Sequence, residues 1–281
     1  MAGLSATLSL RSDPVSLGAF VVIGLLLIAA LFGPWIAPYD PDATDAGAAL
    51  LSVTWAHPLG TDLYGRDQLS RIITASRVDL LVPCAATLAA LAVGVLIGAI
   101  AGYRGGIVDQ IVMRVVDAVM AFPALVLAMG MAAALGNSVR NIILVIAVTQ
   151  IPAYLRLTRG EMLRIRELEY AQAARTVGNR PARVVLVHLL PNCLPPLIVQ
   201  ATLAMGFALL TMAALSFLGL GLQPPDSEWG EMTAEGANQM VTGEWWLFTF
   251  PGVAIMMTVL AFNLIGDRLR DWLDPRLRGT R

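Results

Sequence analysis

The 281-residue chain is 57% hydrophobic and only 14% charged, with a mean hydropathy of +0.71 and a formal net charge of −1, a composition that excludes an ordinary soluble domain and points to a polytopic membrane protein. All 19 basic residues are arginine. The absence of lysine excludes a P-loop and a Schiff-base enzyme, and two cysteines (Cys84, Cys193) with two histidines provide no spaced metal-ligand set.

Six apolar runs follow in chain order, at residues 15–37, 80–102, 115–135, 142–155, 194–222 and 245–266. A helix needs roughly 20 residues to cross a hydrocarbon core of ~30 Å; five runs approach or exceed this, and the fourth is short and needs neighbours. None alternates with period two, so the spans are helices rather than barrel strands. The first run is too long for a signal peptide and has only Arg11 before it, so it is expected to be a retained anchor.

The connection after it, residues 38–79, opens on "APYDPDATDAG", an irregular loop composition. Its second half puts Leu69, Ile72, Ile73, Ser76 and Leu80 on one helical face, with Arg71, Thr74 and Arg77 elsewhere. Two readings stand: a short amphipathic helix resting on the outer membrane surface or the bundle, or a helix packed against neighbouring spans. The third run is interrupted by Asp117 and Pro123, and Arg114 is the expected partner of Asp117.

Between the fourth and fifth runs lies "RLTRGEMLRIRELEYAQAARTVGNRPARVVLVHLLPN", too charged to enter lipid. Helix formers lead to a stop at Gly178-Asn179, and a second helix is expected from Pro181 to Pro191, feeding the fifth span. Small residues at Ala171, Ala174 and Gly178 would admit a partner's surface, with Glu169 and Arg175 setting register by charge. The alternative is a solvated amphipathic loop at the lipid surface. Further on, residues 223–244 form an outer loop with five acids and no arginine. Pro123, Pro195, Pro196 and Pro251 are expected to kink helices or mark their starts. Gln200, Thr202, Thr211 and Asn263 are candidates to line a pathway, against the plainer role of hydrogen bonding between helices.

Arginine placement sets orientation. With both termini cytoplasmic, the inside holds Arg11, Arg104, Arg114, Arg156, Arg159, Arg164, Arg166, Arg175, Arg180, Arg183, Arg268, Arg270, Arg276, Arg278 and Arg281, against Arg66, Arg71, Arg77 and Arg140 outside. The second, fifth and sixth runs carry no charge, so the bundle lacks the intramembrane acids of an ion-coupled carrier, and its energy is expected from a partner.

The stretch "QAARTVGNRPARVVLVHLLP" resembles the EAA loop of binding-protein-dependent ABC importer permeases. Ala173 and Ala174 match the alanines, Gly178 the glycine and Leu190-Pro191 the ending, while Gln172 stands where the family usually has glutamate. Three more stretches resemble dipeptide/oligopeptide/nickel importers: "HPLGTDLYGRDQLSRIITASRVDL", "LSFLGLGLQPPDSEWGEMTAEG" and "FPGVAIMMTVLAFNLIGDRLRDWLDPRLR". In order along the chain, they point to the C-type subunit.

The resemblance implies an all-α polytopic protein: a type I ABC importer transmembrane domain with six transmembrane helices and a cytoplasmic coupling helix, in a bacterial inner membrane. Residues 1–79 would be anchor helix, external loop and amphipathic helix, residues 80–267 the permease core, and residues 268–281 a cytoplasmic tail. Coupling to an ATPase subunit would fall to Glu169, Tyr170, Gln172, Ala173, Ala174, Arg175, Gly178 and Pro191. No catalytic or metal-binding residue is implied; ATP and Mg would be bound by partners. Those partners are a second homologous permease subunit forming a heterodimer, two ATPase subunits, an external solute-binding protein and the lipid bilayer, with no nucleic acid. Peptides, dipeptides or oligopeptides, are the expected cargo, with nickel or another small solute as the alternative. An ion-coupled carrier or a non-transporting signalling subunit would be the competing classes.

Overall fold

The computed structural model describes residues 14–222 and 227–273. Arg11, the first four residues of the 223–244 loop, and Arg276, Arg278 and Arg281 in the tail lie outside the described residues. In hydrocarbon a backbone must satisfy its own N–H and C=O groups, so the apolar runs fold as helices. In chain order these are α1 (Pro14–Ile36), α2 (Gln68–Arg104), α3 (Gly106–Met120), α4 (Ala124–Leu135), α5 (Val139–Ile165), α6 (Glu169–Thr176), α7 (Pro181–Arg183), α8 (Leu190–Phe217), α9 (Trp229–Gln239) and α10 (Trp245–Leu273). Five of them, α1, α2, α5, α8 and α10, are long and apolar enough to cross a membrane. The α3–α4 pair, bent by 85° at its break, meets the same length and hydropathy requirement only when its two helices are taken together, as a broken span or a re-entrant loop.

Contacts divide the bundle into two ends. At one end Gly33 of α1 lies against Ile73 and Thr74 of α2, and the Trp246 indole of α10 donates to the Thr61 carbonyl. At the other, Arg268 near the end of α10 donates to Ser16 at the start of α1, and Arg166 after α5 donates to carbonyls at the end of α2. The first and last spans therefore bring their outer ends, in sequence terms, to one face, that of α6.

The tightest packing is between α2 and α5. Glycines at Gly94, Gly98 and Gly102 recur every four residues, and a Cβ at each would come within 2.6 Å of Tyr154 Cβ, 2.6 Å of Leu155 O and 2.9 Å of Arg159 O. Lipid tails are as apolar as leucine, so helices in a membrane are held by such close van der Waals contact rather than by expulsion of water. Across the same core Thr87 of α2 donates to Gln150 Oε1 of α5 at 3.2 Å, and Gln150 Nε2 donates to the Ala204 carbonyl of α8 at 3.2 Å. By contrast α1 buries only Ser16, Ala19 and Gly33, which leaves most of its surface for lipid.

Several expectations are corrected. The amphipathic segment is not a separate surface helix: it is the first turns of α2, and Arg71 on it is buried at 1% exposure rather than pointing away. The fourth span does not stop at Leu155. It continues as α5 to Ile165, because Arg156 pairs with Asp117 at 2.5 Å and Arg159 with Asp109, both acids on α3. Arg156, not Arg114, is thus the partner of Asp117. The third run is a broken pair beginning at Gly106, since Pro123, without an N–H and fixed in φ, stands at the start of α4. The outer loop is largely helical: α9 presses Gly230 against Ala213 of α8 and Gly236 against Leu247 and Phe248 of α10. Finally, the helix after Pro181 feeds the fifth span without a break at Pro191. It passes through a π-turn at Val184–Leu189 and continues into α8, which carries Pro195 and Pro196 within it.

Candidate functional site

At the face of α6 the chain makes a sharp excursion between two spans. Glu169 opens α6, where a carboxylate favours the positive helix end. Gln172 Nε2 donates to the Glu167 carbonyl at 3.1 Å, tying the helix to the preceding turn. An ionised glutamate could not donate that bond, so the glutamine does something its acidic counterpart would not. At the other end Gly178 adopts φ +81°, the left-handed turn that ends helices, and Asn179 Nδ2 donates to the Ala174 carbonyl at 2.9 Å.

The packing of α6 revises the role of its small residues. Ala171 is fully buried and Ala174 partly so, both against the chain's own core around Ile165, Val184, Leu189 and Cys193. They let α6 lie close to its own spans. The outward surface consists of Leu168, Glu169, Tyr170, Gln172, Ala173, Thr176, Val177 and Gly178, with Val177 at 82% exposure, whereas Arg175, though exposed, folds back over the Tyr103 ring at the end of α2. Beside it Leu186 and Val187 are also exposed, and so is Pro191 at the start of α8. The structure therefore brings Glu169, Tyr170, Gln172, Ala173 and Gly178 onto one exposed projection, a shape suited to docking, and turns the Arg175 side chain back toward the end of α2.

Of the four proposed lining residues, Thr202 and Asn263 lie about one turn apart along the α8–α10 seam, where Gly266 meets Thr202 and Gly206 meets Asn263, and the four do not form one cluster. Asn263 borders an open apolar groove of about 440 Å³ between α8 and α10, with Leu210, Ile255, Met256 and Val259. Thr202 lies where Gly266 of α10 crosses α8, and its hydroxyl, like that of Thr211, donates to a carbonyl of its own helix. Gln200, half-buried, lies two residues before Thr202 on α8. The intramembrane polar contact that does join three spans, Thr87–Gln150–Ala204, was missed; a glutamine within a short apolar run was its signal.

The opposite end holds an ionic clasp. Asp62 Oδ2 accepts from Arg66 Nε at 2.6 Å and from Arg71 at 2.8 Å, and Arg71 also reaches Glu235 at 3.2 Å and Glu231 at 3.5 Å. Asp67 caps α2 through Ser70 N and meets His57 Nδ1 at 2.9 Å. On the same side Asp79 Oδ2 accepts from Trp229 N, and Glu228 caps α9. These contacts fasten the 38–67 loop, the start of α2 and α9 to one another.

Two guanidinium groups are balanced by Asp62 and Glu235, which leaves Glu231 as surplus. Burial, and then the neighbouring Glu235 carboxylate, pushes its carboxyl up to about 8. Because the folded value lies above the ordinary 4.5, the folded state binds more protons between the two. The stability due to this group is therefore complete below the lower value and lost as pH rises through the upper one. Glu231→Gln is expected to flatten the fall in thermal midpoint between pH ~5 and ~9. An unchanged pH profile in that variant would refute the assignment.

Comparison with known proteins completes the description. Residues 94–279 match the family described as binding-protein-dependent transport system inner membrane component, and residues 5–52 match the N-terminal TM domain of oligopeptide transport permease C. The chain is 45% identical over 270 residues to the "Probable D,D-dipeptide transport system permease protein" of Escherichia coli K12, covering 96% of this chain and 90% of that protein. It is 47% identical over 264 residues to the dipeptide transport system permease protein of the same organism, covering 92% and 88%. It is 42% identical over 271 residues to the di/tripeptide transport system permease protein of Pseudomonas aeruginosa, covering 94% and 89%.

Proposed function

The chain belongs to the family of binding-protein-dependent transport system inner membrane components, and from that premise we propose that it is the C-type permease subunit of an ATP-driven peptide importer, coupled to its engine through α6. The single observation that carries the coupling role is the exposed projection of Glu169, Tyr170, Gln172, Ala173 and Gly178, packed through Ala171 and Ala174 against the chain's own spans. Its partners would be a homologous permease subunit, two ATPase subunits that hold ATP and Mg, and an external solute-binding protein. The α6 face would be cytoplasmic, as the arginine distribution requires, with both termini on that side.

In this scheme the ATPase pair closes on ATP and carries α6 with it. Because α6 is anchored to α5, and α5 is locked to α2 along the glycine seam, the displacement moves packed spans rather than a loop. The bundle exchanges an inward-facing for an outward-facing packing, with the nucleotide providing the free-energy difference between them. Peptide would be released by the binding protein at the clasp end, and hydrolysis would restore the first packing. Di- and tripeptides are favoured as cargo by the transport systems to which the relatives belong.

The test joins cargo and coupling. Cells carrying the complete transporter are expected to take up labelled dipeptide, to stop when ATP is depleted, and to continue when ionophores collapse ion gradients; labelled nickel should not enter. Gly178→Asp should abolish this uptake and uncouple ATPase activity while leaving membrane insertion unchanged. A Cβ there meets nothing within 4 Å, but φ +81° strains any L side chain, so Gly178→Asn, equally strained and uncharged, is the control and should keep more uptake. Uptake that survives ATP depletion would overturn the importer reading, and wild-type transport in Gly178→Asp would overturn the coupling role.

A further inference from the structure

Behind α6, between the ends of α2 and α5, lies a polar recess of about 430 Å³ lined by Tyr103, Arg104, Arg166, Glu167 and Arg175. Three guanidinium groups face one carboxylate. Two of the three are held in place: Arg166 donates to the Gly102 carbonyl at 2.7 Å and pairs with Glu167 at 2.9 Å. Arg175 lies 5.2 Å over the Tyr103 ring and reaches the Arg166 carbonyl at 3.4 Å. Arg104, in the last turn of α2, is exposed. Side chains already fixed by backbone and ring contacts lose little freedom on taking up an anion.

What leads into the recess identifies the anion's carrier. Leu96, Ile100 and Arg104 recur every four residues and so share one stripe of α2. Leu96 is 59% exposed and Ile100 43%, and beyond the recess Ile107 of α3 is 74% exposed. An apolar stripe on a membrane-spanning helix, ending at a cationic recess at the helix terminus, is complementary to a molecule with acyl chains and a charged head. Basic pockets between transmembrane helices at the membrane surface recognise anionic head groups in this way.

We propose that the recess of Tyr103, Arg104, Arg166 and Arg175 seats the phosphodiester of an anionic phospholipid whose acyl chain lies along Leu96 and Ile100. The bound lipid joins the end of α2 to α6 at the point where displacement of α6 enters the bundle. The site rests on the chain being membrane-embedded and not on the cargo or on the identity of the engine.

The experiment uses the intact complex in nanodiscs of phosphatidylcholine with increasing phosphatidylglycerol, and reads the thermal midpoint together with the phosphatidylglycerol retained in native mass spectrometry. Phosphatidylglycerol is expected to raise the midpoint of the unaltered complex, and Arg104→Gln to lose most of that rise and retain the lipid several-fold less. Equal retention and an equal rise in Arg104→Gln would overturn the proposal. So would inorganic phosphate reproducing the rise in pure phosphatidylcholine, which would make the occupant a free anion. Loss of the ATPase subunits from Arg104→Gln in pure phosphatidylcholine would also overturn it, assigning the recess to a protein carboxylate. None of these readouts depends on peptide uptake, so a wrong cargo assignment leaves the lipid test intact.

Discussion

Gly98→Val is expected to empty the pool of assembled, monodisperse transporter and to bring peptide uptake to background. A Cβ at Gly98 would lie 2.6 Å from the Leu155 carbonyl oxygen and 2.9 Å from Thr158 Cβ, so the obstacle is backbone and cannot rotate away. Overpacking of a tight interface typically costs ~1–3 kcal/mol, and more where nothing can yield. Here α2 and α5 would have to separate, which would also break the α2–α5 bond of Thr87 to Gln150. Gly98→Ala already places the offending carbon and should give a partial loss, with valine worse. Gly24→Val in α1, where a Cβ meets nothing within 4 Å, is the control and should behave as the parent. Fluorescence-detected size-exclusion chromatography with uptake measures both. Normal assembly and uptake in Gly98→Val would show that the seam does not hold the spans together.

The contrast between this seam and the rest of the chain shows what a sequence displays. Four of the five long spans, α1, α2, α8 and α10, were legible because length and hydropathy alone decide whether a helix can cross lipid. The α6 loop was legible because its arginines cannot enter lipid and its Ala-Ala, Gly and Leu-Pro spacing is local. The seam was visible as "GVLIGAIAG" but carries its meaning only once α5 is opposite it. The extension of α5 was hidden because Arg156 and Arg159 look disqualifying until Asp117 and Asp109 on α3 neutralise them. The burial of Ala171 was misjudged since a small residue admits either a partner or the chain's own spans, and the pattern does not distinguish these. The clasp was invisible for a simpler reason: Arg71 and Glu235 are 164 residues apart, and nothing local ties an outer arginine to an outer acid.

Arg71→Ala is the corresponding expectation for that end. Arg71 is 1% exposed and holds Asp62, Glu235 and Glu231 together, with Ser227 Oγ 3.4 Å from its Nε. Removing one member of a buried ion network leaves the others charged and unpaired, at a cost of ~3–5 kcal/mol. Arg66 would remain with Asp62 at 2.6 Å and more loosely with Glu235, 3.5 Å from its Nη2, so the poorly compensated charge falls on the side of α9, and α9 should loosen from the start of α2. The expected result is a lower thermal midpoint, faster protease cleavage within residues 38–67, and impaired uptake with the α6 projection intact. Arg71→Lys should rescue little, since an ammonium is a point charge that cannot reach three carboxylates with a planar fork. Adding Glu235→Gln to Arg71→Ala should recover part of the midpoint, because it removes the charge that was stranded. That recovery separates an electrostatic clasp from simple loss of packing, for which the second substitution would only add damage. A midpoint in Arg71→Ala equal to that of the parent, or a further drop in the double variant, would show that the outer end is held by apolar contacts of Trp229, Met232 and Leu247 instead.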